Sequence, residues 1–412
     1  MKYKFNTKAI HGLSKESRYN ETVVPIVQST SFQYKSAEEL EDIFKGKKYG
    51  HIYSRISNPT VYELEERINF LENGRGAVAT SSGMAAITIG LLNILQAGDH
   101  LIASTSLFSG TFSLFNNIFK RYGIEVDFVN MNISENVEKK IKPNTKAIFL
   151  EVIGNPKLDV IDVKKISERA HKFYIPLFVD NTIPTPYLFN GKDYGADIII
   201  HSTTKFINGF GNSVGGVLID TGNYDWSNSK FPILKKYIDK YGEFAYLSHI
   251  KHDVYRDFGT CMSPFNAFLT LLGLETLGIR MKIHCNNALK LAQYLESHKK
   301  VKWVNYPGLK SNKYYKIAKR QFNDRFCSLL TFALSSKQEA FKFIDKLKLA
   351  MNLANLGDSK TLVIHPASTI YADMETNEKE SAGVFDNMIR VSAGIEDIED
   401  IVNDFENALV QE

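Results

Sequence analysis

Chemistry is most concentrated in the stretch Asp197-Ile198-Ile199-Ile200-His201-Ser202-Thr203-Thr204-Lys205. An apolar run of strand character stops there, and hydroxyls and a lysine follow at once. Ser202 and Thr204 alternate, so both can face one side and donate hydrogen bonds to phosphate oxygens. Lys205 stands where a Schiff base to an aldehyde cofactor needs its amine. The plainer alternative is a polar strand end with an exposed lysine, and this stretch alone does not choose between the two.

Four other segments add to it. Pro176-Leu177-Phe178-Val179 closes on Asp180. Pyridoxal phosphate needs such a carboxylate against its pyridine nitrogen, which must stay protonated for the ring to accept electrons. A lone acid at a strand end is commonly a turn cap. An acid followed about 25 residues later by Ser-x-Thr-Lys is a more specific pattern. In Ala79-Thr80-Ser81-Ser82-Gly83-Met84, small residues precede a helix, whose first amides are unpaired and attract an anion. Ser82, Gly83 and Met84 can therefore hold phosphate, although a simple N-cap explains the segment equally well. Tyr53 and Arg55 alternate in an extended segment, and the planar fork of arginine suits phosphate. Arg390 interrupts an apolar run, as a bidentate partner for a substrate carboxylate would; a surface ion pair is the ordinary alternative.

The elements that must position these residues follow from periodicity. Residues 1–57 lack alternation and read as an extended arm. Helices are expected over 61–71 and 83–95, the second ending near Gly98. Strands are expected at 100–103, 125–129, 147–152, 177–179, 197–200 and 214–219. Strands alternating with helical stretches imply a mostly parallel sheet whose ligands sit beyond the strands' carboxyl ends. The aromatic-rich segment 223–258 reads as a partly helical excursion outside the core. A long helix over 265–295 then opens a smaller α/β unit, with strands near Val301, Leu329, Leu362 and Ile389, and helices over 339–347 and 395–409.

Composition narrows the class. The chain has 412 residues, 44% hydrophobic and 23% charged, enough to bury a large core without staples. Cys261, Cys285 and Cys327 are scattered without C-x-x-C spacing, which speaks against a disulfide framework and a metal site and fits a reducing cytoplasm. A formal net charge of +4 makes no demand for nucleic acid. No signal peptide or membrane-spanning run is expected.

Taken together, YSRISNPT (53–60), SSGMAA (81–86), VDNT (179–182), HSTTK (201–205) and RVSAGIED (390–397) resemble the Cys/Met-metabolism family of pyridoxal-phosphate enzymes. The resemblance spans nearly the whole chain. It implies the fold type I transferase architecture: an arm over 1–57 reaching a neighbouring subunit, a large cofactor-binding domain over 58–263 with an insert at about 223–258, and a small C-terminal domain over 264–412. By resemblance Lys205 carries the cofactor and Asp180 pairs its ring nitrogen. Ser82, Gly83, Met84, Ser202 and Thr204 hold phosphate, and Asn155 lies near the ring hydroxyl. Arg390 takes the substrate carboxylate. Tyr53 and Arg55 serve the neighbouring subunit's site, Tyr53 also meeting substrate, so a homo-oligomer is implied, a dimer of dimers.

Further stretches, IGNPKLDVID (153–162) and NLGDSKTLVIHPAST (355–369) among them, resemble the branch that adds sulfide or methanethiol to O-acetylhomoserine. Asn355 stands where lyases and cystathionine-forming relatives usually have serine. Gly110 stands where methionine γ-lyases carry cysteine. Phe108 replaces the tyrosine usually stacked on the cofactor, and Tyr371 a common histidine. The expectation is γ-replacement yielding homocysteine or methionine, with Lys205, and Tyr53 beside it, as proton-transfer groups. Methionine γ-elimination and cystathionine synthesis are the alternatives within the family. A non-catalytic partner-binding relative is the alternative outside it.

Overall fold

The computed structural model describes residues 3–12, 20–228 and 230–410. Two sheets organise them. The first contains β1 (Gly76–Thr80), β2 (His100–Ser104), β3 (Glu125–Val129), β4 (Thr145–Glu151), β5 (Leu177–Asp180), β6 (Ile198–His201) and β7 (Gly216–Asp220). Their spatial order is β1-β7-β6-β5-β4-β2-β3. From β6 to β3 every pairing is parallel, while β7 runs antiparallel to both β6 and β1.

Ile198, Ile199 and Ile200 show why this sheet sits at the centre. All three are fully buried, as expected for a strand covered on both faces. Successive side chains enter opposite layers. Val179, Ile199 and Val217 join one core, whereas Phe178, Ile198, Ile200 and Leu218 join the other. The parallel strands therefore deliver Ser104, Glu151, Asp180 and His201 to one edge of the sheet.

The second sheet contains β8 (Trp303–Asn305), β9 (Leu329–Ala333), β10 (Met351–Asn352), β11 (Leu362–Ile364) and β12 (Met388–Ser392), in order β10-β11-β12-β9-β8. Only β10 and β11 pair in parallel.

Several expectations need correction. The first 57 residues are not a plain extended arm: they contain α1 (Phe5–His11) and α2 (Ala37–Phe44). The Phe5 ring packs edge-on against Tyr187. Next come α3 (Pro59–Glu72) and α4 (Gly83–Leu92). Asn58 starts α3 by accepting a hydrogen bond from the Thr60 amide at 3.0 Å, with Pro59 in the first turn. Strand β1 has no counterpart among the expected strands, because Gly-Ala-Val-Ala-Thr lacks the bulky β-branched pattern. The long helix expected over 265–295 is two, Pro264–Glu275 and Leu277–Ser297, broken at Thr276.

The aromatic segment is the largest correction. Trp226, Phe231, Tyr246 and Tyr255 are buried in the same core as Phe178 and Ile200. Trp226 stacks on Tyr246 with centroids 4.3 Å apart. The Tyr246 hydroxyl donates to the Gly90 carbonyl at 2.8 Å. The segment thus braces the back of α4, whose front faces the site.

Candidate active site

Beyond the carboxyl ends of the first sheet, and closed from the other side by the second, lies a cavity of about 300 Å³. Ser82, Gly83, Met84, Phe108, Asn155, Asp180, Ser202, Thr204, Lys205, Asn355 and Arg390 all line it. Eleven residues from seven separate places in the sequence thus meet in one place.

Lys205 reaches across the boundary between the two sheets. Its Nζ donates to Asn355 Oδ1 at 2.7 Å. Burial, helped by the nearby Arg390 charge, lowers its pKa to about 8. A lysine held there keeps a substantial neutral fraction near neutral pH, which nucleophilic and proton-transfer roles both need.

Asp180 closes β5, and its Oδ1 accepts from the Thr182 amide at 2.9 Å. Burial raises its pKa, and the hydrogen bonds from Thr182 oppose that rise. Its neighbour in register on β4 is Glu151. Burial and the charge of Asp180 push Glu151 well above the ordinary carboxylate range, while the amides of Phe108 and Asn155 draw it back. Glu151 accepts from the Phe108 amide at 2.6 Å.

Ser82 caps α4 by accepting from the Ala85 amide at 3.1 Å. The Gly83 and Met84 amides precede any carbonyl one turn back. Gly83 is needed for a close approach: a Cβ there would come within 2.7 Å of Ser202 Cβ. Across from α4, Thr182 Oγ1 accepts from the Ser202 amide at 2.8 Å. The Thr204 hydroxyl donates to the Gly215 carbonyl at 3.1 Å and accepts from the Gly215 amide at 3.0 Å. It must release that carbonyl before it can donate to a phosphate. His201 turns the other way and bonds buried Glu72 at 2.6 Å.

Arg390 lies on β12 and is buried. Its Nη1 donates to Asn155 Oδ1 at 3.0 Å and its Nη2 to the Asn355 carbonyl at 2.9 Å. Its Nε is buried without a partner among the described residues. Burial lowers its pKa to about 10, leaving it cationic at neutral pH.

The donor set fits pyridoxal phosphate. A lysine amine suits the aldehyde, and the half-buried Asp180 carboxylate, in no ion pair among the described residues, suits a protonated ring nitrogen. The uncovered amides of α4 suit the phosphate, and Phe108 offers an aromatic face.

Tyr53 and Arg55 are the exceptions. Both are exposed and neither lines the cavity. Arg55 lies over the Tyr53 ring at 5.4 Å and donates to the Arg256 carbonyl at 2.5 Å. Sequence reasoning also passed over Glu151 and Thr182. Their signal lay in Glu151-Val152-Ile153-Gly154-Asn155 and in VDNT, as polar residues at or just past a buried strand end. The described residues contain no group of three or more His, Cys, Asp or Glu placed to hold a metal ion.

A family model described as Cys/Met metabolism PLP-dependent enzyme matches residues 6–410. An O-acetyl-L-homoserine sulfhydrylase of Leptospira meyeri is 41% identical, over 99% of this chain and 97% of its own. A homocysteine/cysteine synthase of Kluyveromyces lactis is 42% identical, over 98% and 96%. The crystal structure of a putative O-acetylhomoserine (thiol)-lyase from Campylobacter jejuni is similar with a TM-score of 0.96 and 34% identity, covering 99% of this chain and 100% of that one. That protein carries N'-pyridoxyl-lysine-5'-monophosphate at its position 205.

Proposed function

The chain belongs to the Cys/Met metabolism PLP-dependent enzymes, and from that premise we propose that it joins sulfide to O-acetylhomoserine, giving homocysteine and acetate. Full-length likeness to sulfhydrylases of that ester supports the choice of reaction. The structural observation that carries it is one cavity holding both Lys205, with its lowered pKa, and Arg390, with a free buried Nε.

Bound in this cavity, pyridoxal phosphate supplies an electrophilic carbon for the amine and a ring that accepts electrons. Every other duty falls to side chains. Arg390 binds the substrate carboxylate, with Asn155 and Asn355 fixing two of its three nitrogens. Lys205 takes the Cα proton at Nζ and later returns a proton. Asp180 would pair the protonated ring nitrogen, its carboxylate form favoured by the hydrogen bonds from Thr182. Ser82, Ser202, Thr204 and the first amides of α4 would hold the phosphate, and Phe108 would offer its aromatic face to the ring. Ile153, Ile183 and Ile370 give the cavity apolar walls that exclude water. In the net reaction the Cγ–O bond to acetate breaks and a Cγ–S bond forms.

Methionine γ-elimination fits less well. The cysteine that γ-lyases carry is replaced by Gly110, and a Cβ there would stand 2.7 Å from Phe108 Cε1, so the ring would have to shift to admit one. Tyr53 and Arg55 complete the cavity of a second copy, which makes the functional unit a homodimer or a pair of them. No described helix is long and apolar enough to cross a membrane, and the three cysteines are free; the proposed compartment is the cytoplasm. The test is product analysis of the pyridoxal-phosphate-loaded protein. Homocysteine from O-acetylhomoserine and sulfide must outpace any α-ketobutyrate from methionine, and the reverse order overturns the reading.

A further inference from the structure

Tyr371 is 1% exposed and lies on the second-sheet side of the cavity, outside the catalytic set. Its hydroxyl donates to the Asn155 carbonyl at 2.5 Å and approaches the Leu107 carbonyl at 3.3 Å. The Ser109 amide also faces the phenol oxygen, opposing the rise in pKa that burial imposes. One hydroxyl therefore touches the backbone on both sides of Phe108 and at Asn155. Both contacted loops belong to the first-sheet half of the molecule. Each carries a residue that lines the cavity, and Asn155 Oδ1 in turn holds Arg390 Nη1.

Resting on the reading above, we propose that Tyr371 is a positioning residue: by tying the Leu107–Ser109 turn and the Asn155 carbonyl to the second-sheet half, it sets the Phe108 ring against the cofactor and, through Asn155, the direction of Arg390. The Leu107 and Asn155 carbonyls lie beside buried groups, so removing the one hydroxyl leaves acceptors unpaired next to two residues that must be held within a fraction of an ångström. Glu151 grips the same turn from beneath through the Phe108 amide. The turn is thus held from two directions, by an acid of the first sheet and a phenol of the second half.

The experiment compares Tyr371→Phe with the parent, both loaded with pyridoxal phosphate. The readouts are circular dichroism in the cofactor's visible band, the melting temperature, and kcat and KM for O-acetylhomoserine with sulfide. The expected result is a weakened visible dichroic signal per bound cofactor, with KM raised about tenfold and kcat changed less, as loss of substrate positioning requires. A lowered melting temperature with unchanged dichroism and unchanged KM overturns the proposal, because it reduces Tyr371 to a packing residue. Should Tyr371→Phe not fold, Tyr371→His retains a ring N–H donor. With this variant a parent-like KM supports the proposal, and a raised KM with unchanged dichroism overturns it. If the parent itself does not turn over O-acetylhomoserine, the assigned reaction fails, while the dichroism comparison still judges the role of Tyr371.

Discussion

The cavity and the Tyr53–Arg55 segment were both marked by motif, and the fold treats them oppositely. At the cavity, strands β4, β5 and β6 end side by side, so Glu151, Asp180 and the Ser202–Lys205 turn converge within one chain. The Tyr53–Arg55 segment is held by backbone contacts to Ser31 and by the Arg256 carbonyl, and its side chains point to the exterior. A residue at the end of a parallel strand has its address fixed by the sheet. A residue on an outlying segment has an address only once a second surface meets it. The difference explains why one chain assembles eleven of the thirteen residues and leaves two outside.

The largest effect that sharpens this contrast is Lys205→Ala. Loss of proton transfer at Nζ should lower kcat on the order of 10³-fold with the melting temperature little changed, as stopped assays and a thermal scan can show. Arg390→Ala comes next. Removing a charge-assisted pair of about 1.5–3 kcal/mol should cut kcat/KM for the amino acid by roughly 10–100-fold; a loss confined to kcat would contradict the carboxylate role. Arg55→Ala should weaken cofactor affinity by about tenfold, the scale of one lost charged contact.

A more pointed use of Arg55→Ala breaks or upholds the comparison itself. Mixed and reassembled with Lys205→Ala at limiting pyridoxal phosphate, where both variants are poorly active, the proteins should regain activity, because one pairing unites an intact Lys205 with an intact Arg55. No recovery in exchanged oligomers would place Arg55 outside any partner's site. The smallest effect concerns pH. Lys205 has its pKa lowered to about 8, so the neutral, reactive amine grows as pH rises through that value. Growth of the bound-cofactor absorbance in cofactor-free protein should therefore accelerate up to about pH 8 and then level. A rate still climbing at pH 10 would assign the amine its ordinary basicity.

Sequence carried the cavity further than it carried its surroundings. Lys205, Asp180 and Ser82–Met84 were legible because each joins a polar group to the end of an apolar run, a local signal. Thr182 and Glu151 are equally local, but their partners, the Ser202 and Phe108 amides, lie 20 and 43 residues away. Only folding reveals those pairings. Strand β1 was hidden because small residues carry little strand pattern; it exists by pairing with β7. The segment 223–258 misled for the opposite reason. Its aromatics lack a period of 2 or 3.6, yet Trp226 and Tyr246 fill the space behind α4, an outcome of tertiary packing alone.

Reduction of the pyridoxal-phosphate-loaded protein with borohydride, followed by peptide mass spectrometry, addresses the central claim most directly. The stable pyridoxyl adduct should be found on the peptide containing Lys205 and on no other. An adduct on a different lysine, or none in protein that has taken up the cofactor, would contradict the account.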